Sequence, residues 1–315
     1  LSNELGARVG SELKIPVYLY ENSASQPERV NLANIRSGEY EGMADKLKNK
    51  KWKPDFGPTD LHLSAGVSAI GAREFLIAYN INLNTQDKKL ASDIALDVRE
   101  AGRGKRNPEG KFVRDSDGKV IKIPGSLKST KAVGWYIDEY KQAQVSMNLT
   151  NFNITSPHDA FDEVCMQAQK RGLRVTGSEL VGLIPLSAII NAGLHYLDKQ
   201  DQSAGIPEGD IIHIAIKSLG LDDLAPFDPK EKIIEYRVSD KYGDLANSSL
   251  IDFIDELSIN SPAPGGGSVS ALAGSLAAGL SSMVANLTVN KKGFESIKPE
   301  MKLLAIEAQV LKDQL

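Results

Sequence analysis

The sequence has 315 residues, 41% of them hydrophobic, and a formal net charge of −4, which is ordinary for a globular protein but too long for one typical domain. The slightly acidic balance argues against nucleic-acid binding, which usually shows a basic surplus. The single cysteine, Cys165, excludes an internal disulfide and fits a reducing, cytoplasmic setting, while four scattered histidines argue against a metal site.

The first part of the chain alternates helix, strand and loop patterns. Residues 4–13 predict the second half of an amphipathic helix, and residues 15–20 predict an apolar strand. A short helix is expected to end near Leu47. The basic run 48–53 predicts a solvated loop that is anchored by the aromatic ring of Trp52.

The middle of the chain predicts an α+β unit. Its elements follow the order strand, helix, strand, strand, helix, strand, at residues 75–83, 87–101, 133–137, 143–149, 158–172 and 173–183, with further helices at 185–199 and 211–219. This is the order of a split βαβ, ferredoxin-like unit. The region before it ends in an incomplete copy, so a duplicated α+β architecture is predicted. Residues 112–123 predict a hairpin around Asp117-Gly118.

The last part of the chain predicts helices only. We expect domains at residues 1–75 and 76–238, a polar linker at 239–248, and the start of an all-α domain at 249–315. The uncharged stretch 269–289 is nearly long enough to cross a bilayer. Its many Ala, Gly and Ser residues contribute little insertion free energy, so we expect a buried helix of a soluble protein and no membrane span.

Both ends of the sequence lack the usual boundary patterns. The opening residues resemble the second half of a helix, and residues 301–315 are helical in pattern without a stop signal. We therefore expect the chain to be an internal fragment, and its first residues do not form a signal peptide.

One glycine-bounded loop is the main candidate for a binding site. Terminal glycines permit close approach of a ligand to the backbone and unusual φ values. The loop falls at the junction of the two predicted α+β units, where small-molecule sites are common. A plain linker is the alternative interpretation. The candidate residues are Gly57, Pro58, Thr59, Asp60, Leu61, His62, Leu63, Ser64, Ala65 and Gly66.

The histidines are considered singly because no two are close in sequence. His62 could exchange protons near neutral pH, although a lone histidine in a loop is more often only exposed. His195 and His213 fall on predicted helices as packing or surface residues. His158 begins a predicted helix, where capping or exposure is the simpler account.

Two other segments could bind anions. Residues 260–268 combine prolines and glycines before a helix of small residues, where free backbone N–H groups attract negative charge, and Ser268 is the expected N-cap. The segment lacks the lysine of a phosphate-binding P-loop, and a tight turn is the alternative. The basic loop 102–106 could steer a polyanion, or be a solvated loop.

Several longer motifs carry a family resemblance. The segments that resemble the glutamate formimidoyltransferase family are residues 52–58, 71–83, 177–185 and 226–236. Residues 261–268 resemble the opening of the formimidoyltetrahydrofolate cyclodeaminase domain. The two occur in this order in the fused formimidoyltransferase-cyclodeaminase family, and the likeness covers essentially the whole chain.

The resemblance implies a fold and an activity. The fold would be two ferredoxin-like transferase subdomains followed by an all-α cyclodeaminase domain. The implied enzyme moves a formimino group from N-formimidoylglutamate to tetrahydrofolate, which is expected to be polyglutamylated, and then forms 5,10-methenyltetrahydrofolate and ammonia. The family's folate-contacting segment matches residues 57–66. A cytoplasmic homo-oligomer is expected for the full-length protein.

The resemblance also implies that catalytic residues lie outside this sequence. The family's transferase histidine would precede Leu1, and its cyclodeaminase aspartate would follow Leu315. Because acid–base groups contribute about 10²- to 10⁴-fold to rate, we expect little activity from this stretch alone. The alternatives are a stand-alone glutamate formimidoyltransferase with a vestigial helical tail, and a ferredoxin-like RNA-binding module, for which the aromatic strand pattern and charge are wrong.

Overall fold

The computed structural model of the protein describes residues 1–238 and 243–315. Within these ranges the chain divides into two compact units, Leu1–Glu74 and Phe75–Leu315. The predicted linker at 239–248 lies in part outside the described residues, at positions 239–242. The predicted domain boundaries stay predictions.

The first unit is built on two strands and the helices around them. Its elements are α1 (Ser2–Glu12), β1 (Val17–Glu21), α2 (Leu32–Arg36), α3 (Met43–Lys48) and β2 (Ser68–Ala72). The strands pair in parallel, which requires a crossover connection, here containing α2 and α3. Strand β2 is not predicted from the sequence, because its small residues show no apolar alternation and only pairing with β1 makes it a strand.

The second unit begins with a mixed α/β layer. Its elements are β3 (Ile77–Leu83), α4 (Lys88–Val98), β4 (Arg103–Gly104), β5 (Lys122–Ile123), β6 (Thr130–Ile137), β7 (Gln142–Leu149), α5 (Pro157–Gln169), β8 (Val175–Val181), α6 (Leu186–Lys199) and α7 (Glu208–Leu219). The main sheet has four antiparallel strands in the order β6-β7-β3-β8. This is the predicted ferredoxin-like order, and the α+β fold class followed by helices is confirmed.

The core of this unit lies on one face of the sheet. Tyr79, Ile81, Val145 and Met147 are buried there, against the apolar sides of α4 and α5. Gly134 of β6 permits close packing, because a Cβ at this position would collide with the backbone of α4. Alternate residues of each strand point to the opposite face.

A small hairpin extends from the sheet, as predicted. The strand β4 pairs with β5, and an isolated bridge joins Arg114 to Val120 around the predicted Asp117-Gly118 turn. Gly118 has a φ of +78°, which explains why glycine occupies the turn.

The rest of the second unit is helical. Its elements are α8 (Pro229–Lys232), α9 (Ile234–Val238), α10 (Asp244–Asn247), α11 (Leu250–Ser258), α12 (Gly266–Val289) and α13 (Lys298–Gln314). The long helices α12 and α13 pack along each other. They dock on the loop after α6, where the carbonyl of Gly205 accepts hydrogen bonds from Ser282 at 2.9 Å and Asn286 at 2.7 Å.

Charge pairing adds to this docking. Asp201, in the same loop, accepts hydrogen bonds from Lys298 and from Lys302, the latter at 2.7 Å. These side-chain hydrogen bonds, Lys298 first, hold the pKa of Asp201 at about 2. The carboxylate of Asp201 therefore stays charged in the folded protein at pH values below the ordinary pKa of an aspartate.

The helix α12 is less buried than predicted. By length and composition it is the one helix among the described residues that could cross a membrane, which is weak support because soluble core helices pass the same test. Only 17% of its most apolar stretch is buried. The helix α12 is therefore buried on one side only, where α13 and the Gly205 loop pack against it. On its other side Leu276, Leu280 and Leu287 are exposed.

Candidate functional site

The predicted ligand loop, residues 57–66, leads from the end of α3 toward β2. Gly57 has a φ of +82°, and a Cβ there would collide with the carbonyl oxygen of Ile15. The loop closes into a tight turn in which His62 and Gly66 exchange backbone hydrogen bonds of 3.2 and 2.8 Å. Glycine is required at the first end by both conformation and space.

The side chains of the turn differ in their exposure. Thr59, Asp60 and Ser64 are exposed, and the side chain of Leu63 at the tip is 96% exposed. His62 is only partly exposed, and its Nδ1 accepts the backbone N–H of Ala65 at 3.0 Å. This histidine therefore stabilises the turn.

A pocket of about 370 Å³ opens beside the end of this loop. The aromatic ring of Tyr40 forms one wall, 3.3 Å from where a Cβ of Gly66 would lie. The volume is at the lower end of the range for small-molecule sites, about 300–1,000 Å³. The lining residues are Arg36, Glu39, Tyr40, Met43, Ala65, Gly66 and Val67.

The part of this pocket that lies outside the loop was not predicted from the sequence. Arg36, Glu39 and Tyr40 lie before the predicted short helix that ends near Leu47, and the sequence assigns them no role in a site. The available signal was an arginine and a tyrosine in a turn that also contains Gly38, whose φ is +89°. Their distance in sequence from the loop hid the association.

A buried ion pair holds the stem of the loop. The guanidinium of Arg29 donates to Asp55 at 2.7 Å and to the carbonyl of Lys53 at 2.7 Å, and both side chains of the pair are almost fully buried. The other carboxylate oxygen of Asp55 accepts the backbone N–H of Leu19 at 2.7 Å. The residues before Gly57 are thereby fixed to β1.

The neighbouring basic run is ordered by backbone contacts. Residues Lys50–Trp52 form a short 3₁₀ turn, and the hydroxyl of Tyr18 donates to the carbonyl of Trp52. The ammonium of Lys46 lies over the Trp52 ring, with its nitrogen 4.3 Å from the ring centroid. The predicted anchoring by Trp52 is therefore found.

The basic loop 102–106 is less free than predicted. Arg103 forms ion pairs with Asp93 at 2.9 Å and Asp97 at 2.5 Å, and Arg171 shares both carboxylates. Since its charge is already neutralised within the unit, Arg103 is a poor candidate for steering a polyanion.

The glycine-rich start of α12 also differs from expectation. The helix begins at Gly266 with Gly265 as its N-cap, so Ser268 lies inside the first turn and is not the cap. The helix therefore begins three residues earlier than it would with Ser268 as its N-cap. A helix N-terminus is by itself insufficient to assign a ligand, and we assign none.

Two histidines that were considered separately come together in the second unit. The rings of His158 and His195 stack with centroids 4.3 Å apart. His195 contacts Asp162 at 2.9 Å, and Lys199 donates to the same carboxylate oxygen at 2.8 Å. His158 is neither cap nor exposed residue: Ser156 caps the helix, and the His158 Nδ1 is buried without a hydrogen-bond partner in the structure.

This stack predicts a pH-dependent stability. Burial is the main cause that lowers the pKa of His158, with His195 and Lys199 also lowering it and Asp159 and Asp162 opposing them. Protonation is thus harder in the folded than in the unfolded state. The contribution of neutral His158 to the free energy of unfolding should be fully present above the unfolded pKa of about 6.5. It should be lost progressively as the pH falls through that value toward the lower pKa of the folded protein.

The variant His158→Phe tests this, because it keeps an aromatic ring and removes the titration. Its unfolding free energy, measured with urea between about pH 5 and 7.5, should vary less with pH than that of the wild type. His213→Phe, at an exposed position, is the control and should keep the wild-type slope. Equal slopes for all three proteins would contradict the assignment.

Within residues 1–238 and 243–315, no group of three His, Cys, Asp or Glu side chains is placed to hold a metal ion. The thiol of Cys165 is partly buried beside this histidine cluster, and burial raises its pKa to about 11. A thiol with a raised pKa is a poor nucleophile near neutral pH.

Three family models match successive parts of the sequence. The model described as "Formiminotransferase domain, N-terminal subdomain" matches residues 1–73, and "Formiminotransferase domain" matches residues 78–239. The model described as "Formiminotransferase-cyclodeaminase" matches residues 249–315.

Curated proteins show the same similarity. A formimidoyltransferase-cyclodeaminase of Dictyostelium discoideum is 44% identical over 96% of this chain and 54% of its own length. That of Mus musculus is 44% identical over 95% of this chain and 52% of its own length. A glutamate formimidoyltransferase of Streptococcus pyogenes serotype M1 is 38% identical over 64% of this chain and 60% of its own length. The chain thus spans about half the length of the fused relatives that it matches.

Proposed function

Because the chain belongs to the formimidoyltransferase-cyclodeaminase family, we propose that it forms part of a bifunctional folate enzyme. The first reaction transfers a formimino group from N-formimidoylglutamate to N5 of tetrahydrofolate. The second closes the ring to 5,10-methenyltetrahydrofolate and releases ammonia. Tetrahydrofolate is a co-substrate, and the full-length protein is proposed to be a cytoplasmic homo-oligomer.

The observation that carries the proposal is the succession of segments in one chain. The two transferase matches at 1–73 and 78–239 are followed by the cyclodeaminase match at 249–315. Apart from Ile77 at its first position, the sheet of the second unit falls within the second match, and the helices α11 to α13 fall within the third. This succession favours the fused enzyme over a stand-alone transferase with a vestigial tail.

We assign folate binding to the glycine-bounded loop, residues 57–66. A reduced pterin is flat and requires apolar walls with a few directed polar groups. Tyr40 and Met43 offer apolar surface beside the loop, Arg36 offers a guanidinium, and the exposed Leu63 can pack on a ligand. The rigid turn between His62 and Gly66 presents this surface with little ordering cost.

The loop can bind and orient but is poorly suited to proton transfer. In the transfer step N5 attacks the formimidoyl carbon, the bond from that carbon to the glutamate nitrogen breaks, and the glutamate amine leaves with a proton. His62 is the one imidazole in the loop, and its Nδ1 already accepts the N–H of Ala65. We therefore give His62 a structural role and leave acid–base catalysis to residues outside the loop.

Replacement of the loop in the protein that contains the complete reading frame tests both the activity and the site. Wild type supplied with N-formimidoylglutamate and tetrahydrofolate should form 5,10-methenyltetrahydrofolate and ammonia. The formation of 5,10-methenyltetrahydrofolate is measured by its absorbance. A variant with residues 57–66 replaced by a Gly/Ser spacer of equal length should lose the transfer step. It should still cyclodeaminate 5-formimidoyltetrahydrofolate that is supplied directly.

The outcomes separate the two assignments. Failure of the wild type to form product would refute the proposed activity. Transfer at the wild-type rate by the spacer variant would refute the loop as the folate site while leaving the activity intact. Low activity of residues 1–315 alone stays a prediction.

A further inference from the structure

The face of the main sheet opposite the helices carries an unusual set of polar side chains. We call it the amide face and define it by three amides, Asn80, Asn82 and Gln144, with the carboxylate of Glu179 and the indole of Trp135. Asn80 is 3% exposed, and Asn82 and Gln144 are 0% exposed. Asparagine is disfavoured in strands, and burying amides is costly unless they are fully hydrogen-bonded. Two asparagines in the central strand β3 therefore require hydrogen-bond partners, and side chains that break a local preference in this way are often found at functional sites.

The amides form one directed chain of hydrogen bonds. The indole N–H of Trp135 donates to Gln144 Oε1 at 2.9 Å, and Gln144 Nε2 donates to Asn82 Oδ1 at 2.7 Å. Asn82 Nδ2 in turn donates to Asp223 at 3.0 Å. Each link fixes the orientation of the next amide, so the face is rigid and its donors and acceptors point in set directions.

The chain of amides holds the carboxylate of Glu179 in place. Asn80 Nδ2 donates to Glu179 Oε2 at 3.1 Å, and Gln144 Nε2 lies 3.4 Å from the same oxygen. No hydrogen bond or ion pair of the described residues reaches the other oxygen, Oε1, and Glu179 is partly exposed. A positioned carboxylate with a free acceptor edge is an arrangement that can receive N–H donors.

Apolar surface lies beside this carboxylate. Trp135, Val133 and Val181 are 40%, 56% and 50% exposed, and they lie on β6 and β8, on the same face of the sheet as the amides of β3 and β7. An indole and two valines provide flat apolar walls, and the carboxylate provides direction. This combination suits a planar, nitrogen-rich group.

We propose that Glu179 binds the flat N–C–N edge of a substrate, with Asn80 orienting the carboxylate and Trp135 packing on the ligand plane. Two N–H groups on neighbouring nitrogens match two carboxylate oxygens, as they do in bidentate guanidinium pairs. The inference rests on the proposed function, whose substrates contain two such groups. One is the 2-amino-pyrimidinone edge of the pterin, and the other is the formimidoyl group of N-formimidoylglutamate.

The variant Glu179→Gln tests this in the protein that contains the complete reading frame. Glutamine keeps the shape but replaces one acceptor by a donor, which opposes an incoming N–H. Calorimetric titration should show binding weakened by about tenfold or more for one of the two ligands, tetrahydrofolate or N-formimidoylglutamate. The ligand that is weakened identifies the N–C–N group that Glu179 binds.

A matched control is available on the helical side of the sheet. Glu163 is also partly exposed and accepts an amide hydrogen bond, from Gln167 at 2.9 Å, so Glu163→Gln makes the same chemical change. It should leave both affinities unchanged. Thermal unfolding and circular dichroism of both variants show whether each is folded.

Ligand analogues keep the test decisive if Glu179→Gln is unstable. Wild type should bind a 2-desamino folate analogue or N-formylglutamate, each of which lacks one N–H of the edge, more weakly than the parent ligand. In Glu179→Gln the difference in affinity between the parent ligand and its analogue should be smaller than in wild type. Wild-type binding that is unchanged for both analogues would overturn the proposal.

The remaining outcomes distinguish this inference from the proposed function. If Glu179→Gln binds both ligands as tightly as wild type while the loop spacer variant does not bind folate, the Glu179 assignment fails and the folate enzyme stands. If wild type binds neither ligand, both fail together.

Discussion

Replacing Arg29 by alanine is expected to destabilise the first unit by about 3–5 kcal/mol, because it leaves the buried carboxylate of Asp55 without its cation. Both side chains of the pair are almost fully buried, and the guanidinium also satisfies the carbonyls of Lys51 and Lys53. Truncation would therefore orphan several acceptors at once. The cost of a buried unpaired acceptor is about 1–3 kcal/mol even when it is uncharged.

The measurement can be made specific to this unit. The protein has two tryptophans, and Trp52 lies close to the pair, with its ring centroid 6.0 Å from the Arg29 guanidinium carbon. In a Trp135→Phe background, urea unfolding followed by fluorescence reports on Trp52 alone. The midpoint of the unfolding transition should lie at a clearly lower urea concentration in Arg29→Ala than in the protein that keeps Arg29.

A surface pair of the same unit is the control. Lys51 and Glu28 approach to 2.7 Å, but their side chains are 59% and 45% exposed. Lys51→Ala should shift the unfolding midpoint far less than Arg29→Ala, because water screens and solvates both charges. Equal shifts for Arg29→Ala and Lys51→Ala would show that the buried pair is no more important than the exposed one.

The second large effect is expected at Gly57, at the start of the predicted folate loop. Gly57→Ala should weaken tetrahydrofolate binding by about tenfold or more and lower stability, since a left-handed residue with a side chain costs about 1–2 kcal/mol. The new methyl group would also meet the carbonyl of Ile15, so the stem of the loop must move. Displacement of about 1 Å is enough to disturb a ligand site of this kind.

Gly118 provides a control that separates strain from displacement. Its φ of +78° nearly equals the +82° of Gly57, but a Cβ there would meet nothing within 4 Å. Gly118→Ala should show the conformational cost in thermal unfolding and no change in folate affinity by titration. If the two variants bind tetrahydrofolate equally, the loop stem does not position the ligand.

Much of the second unit could be predicted from local pattern. In the predicted strand 143–149, the alternate residues Val145, Met147 and Leu149 are apolar, and all three are buried in the core. Ser156-Pro157, a pair typical of a helix start, directly precedes the predicted helix 158–172, and a capping box is found there. These predictions succeeded because the period of a strand or helix and the chemistry of a cap are written in neighbouring residues.

The candidate site was only half accessible to the same reasoning. The glycines at positions 57 and 66 indicate an unusual backbone conformation, and both have a positive φ in the structure. Tyr40, which forms a wall of the pocket, is distant in sequence from the loop, and nothing in its own turn indicates that the two lie side by side. The pairing of Arg29 with Asp55 was hidden for the same reason.

The sequence by itself determined the period, the turns and the caps, and hence the order of elements and the α+β class. Only the tertiary structure decided that residues 68–72 form a strand, that His158 stacks on His195, and that Asn80 and Asn82 join a buried amide face. Each of these depends on a partner far along the chain. Local propensity acts within a few residues, whereas pairing, burial and charge neutralisation are fixed when distant segments meet.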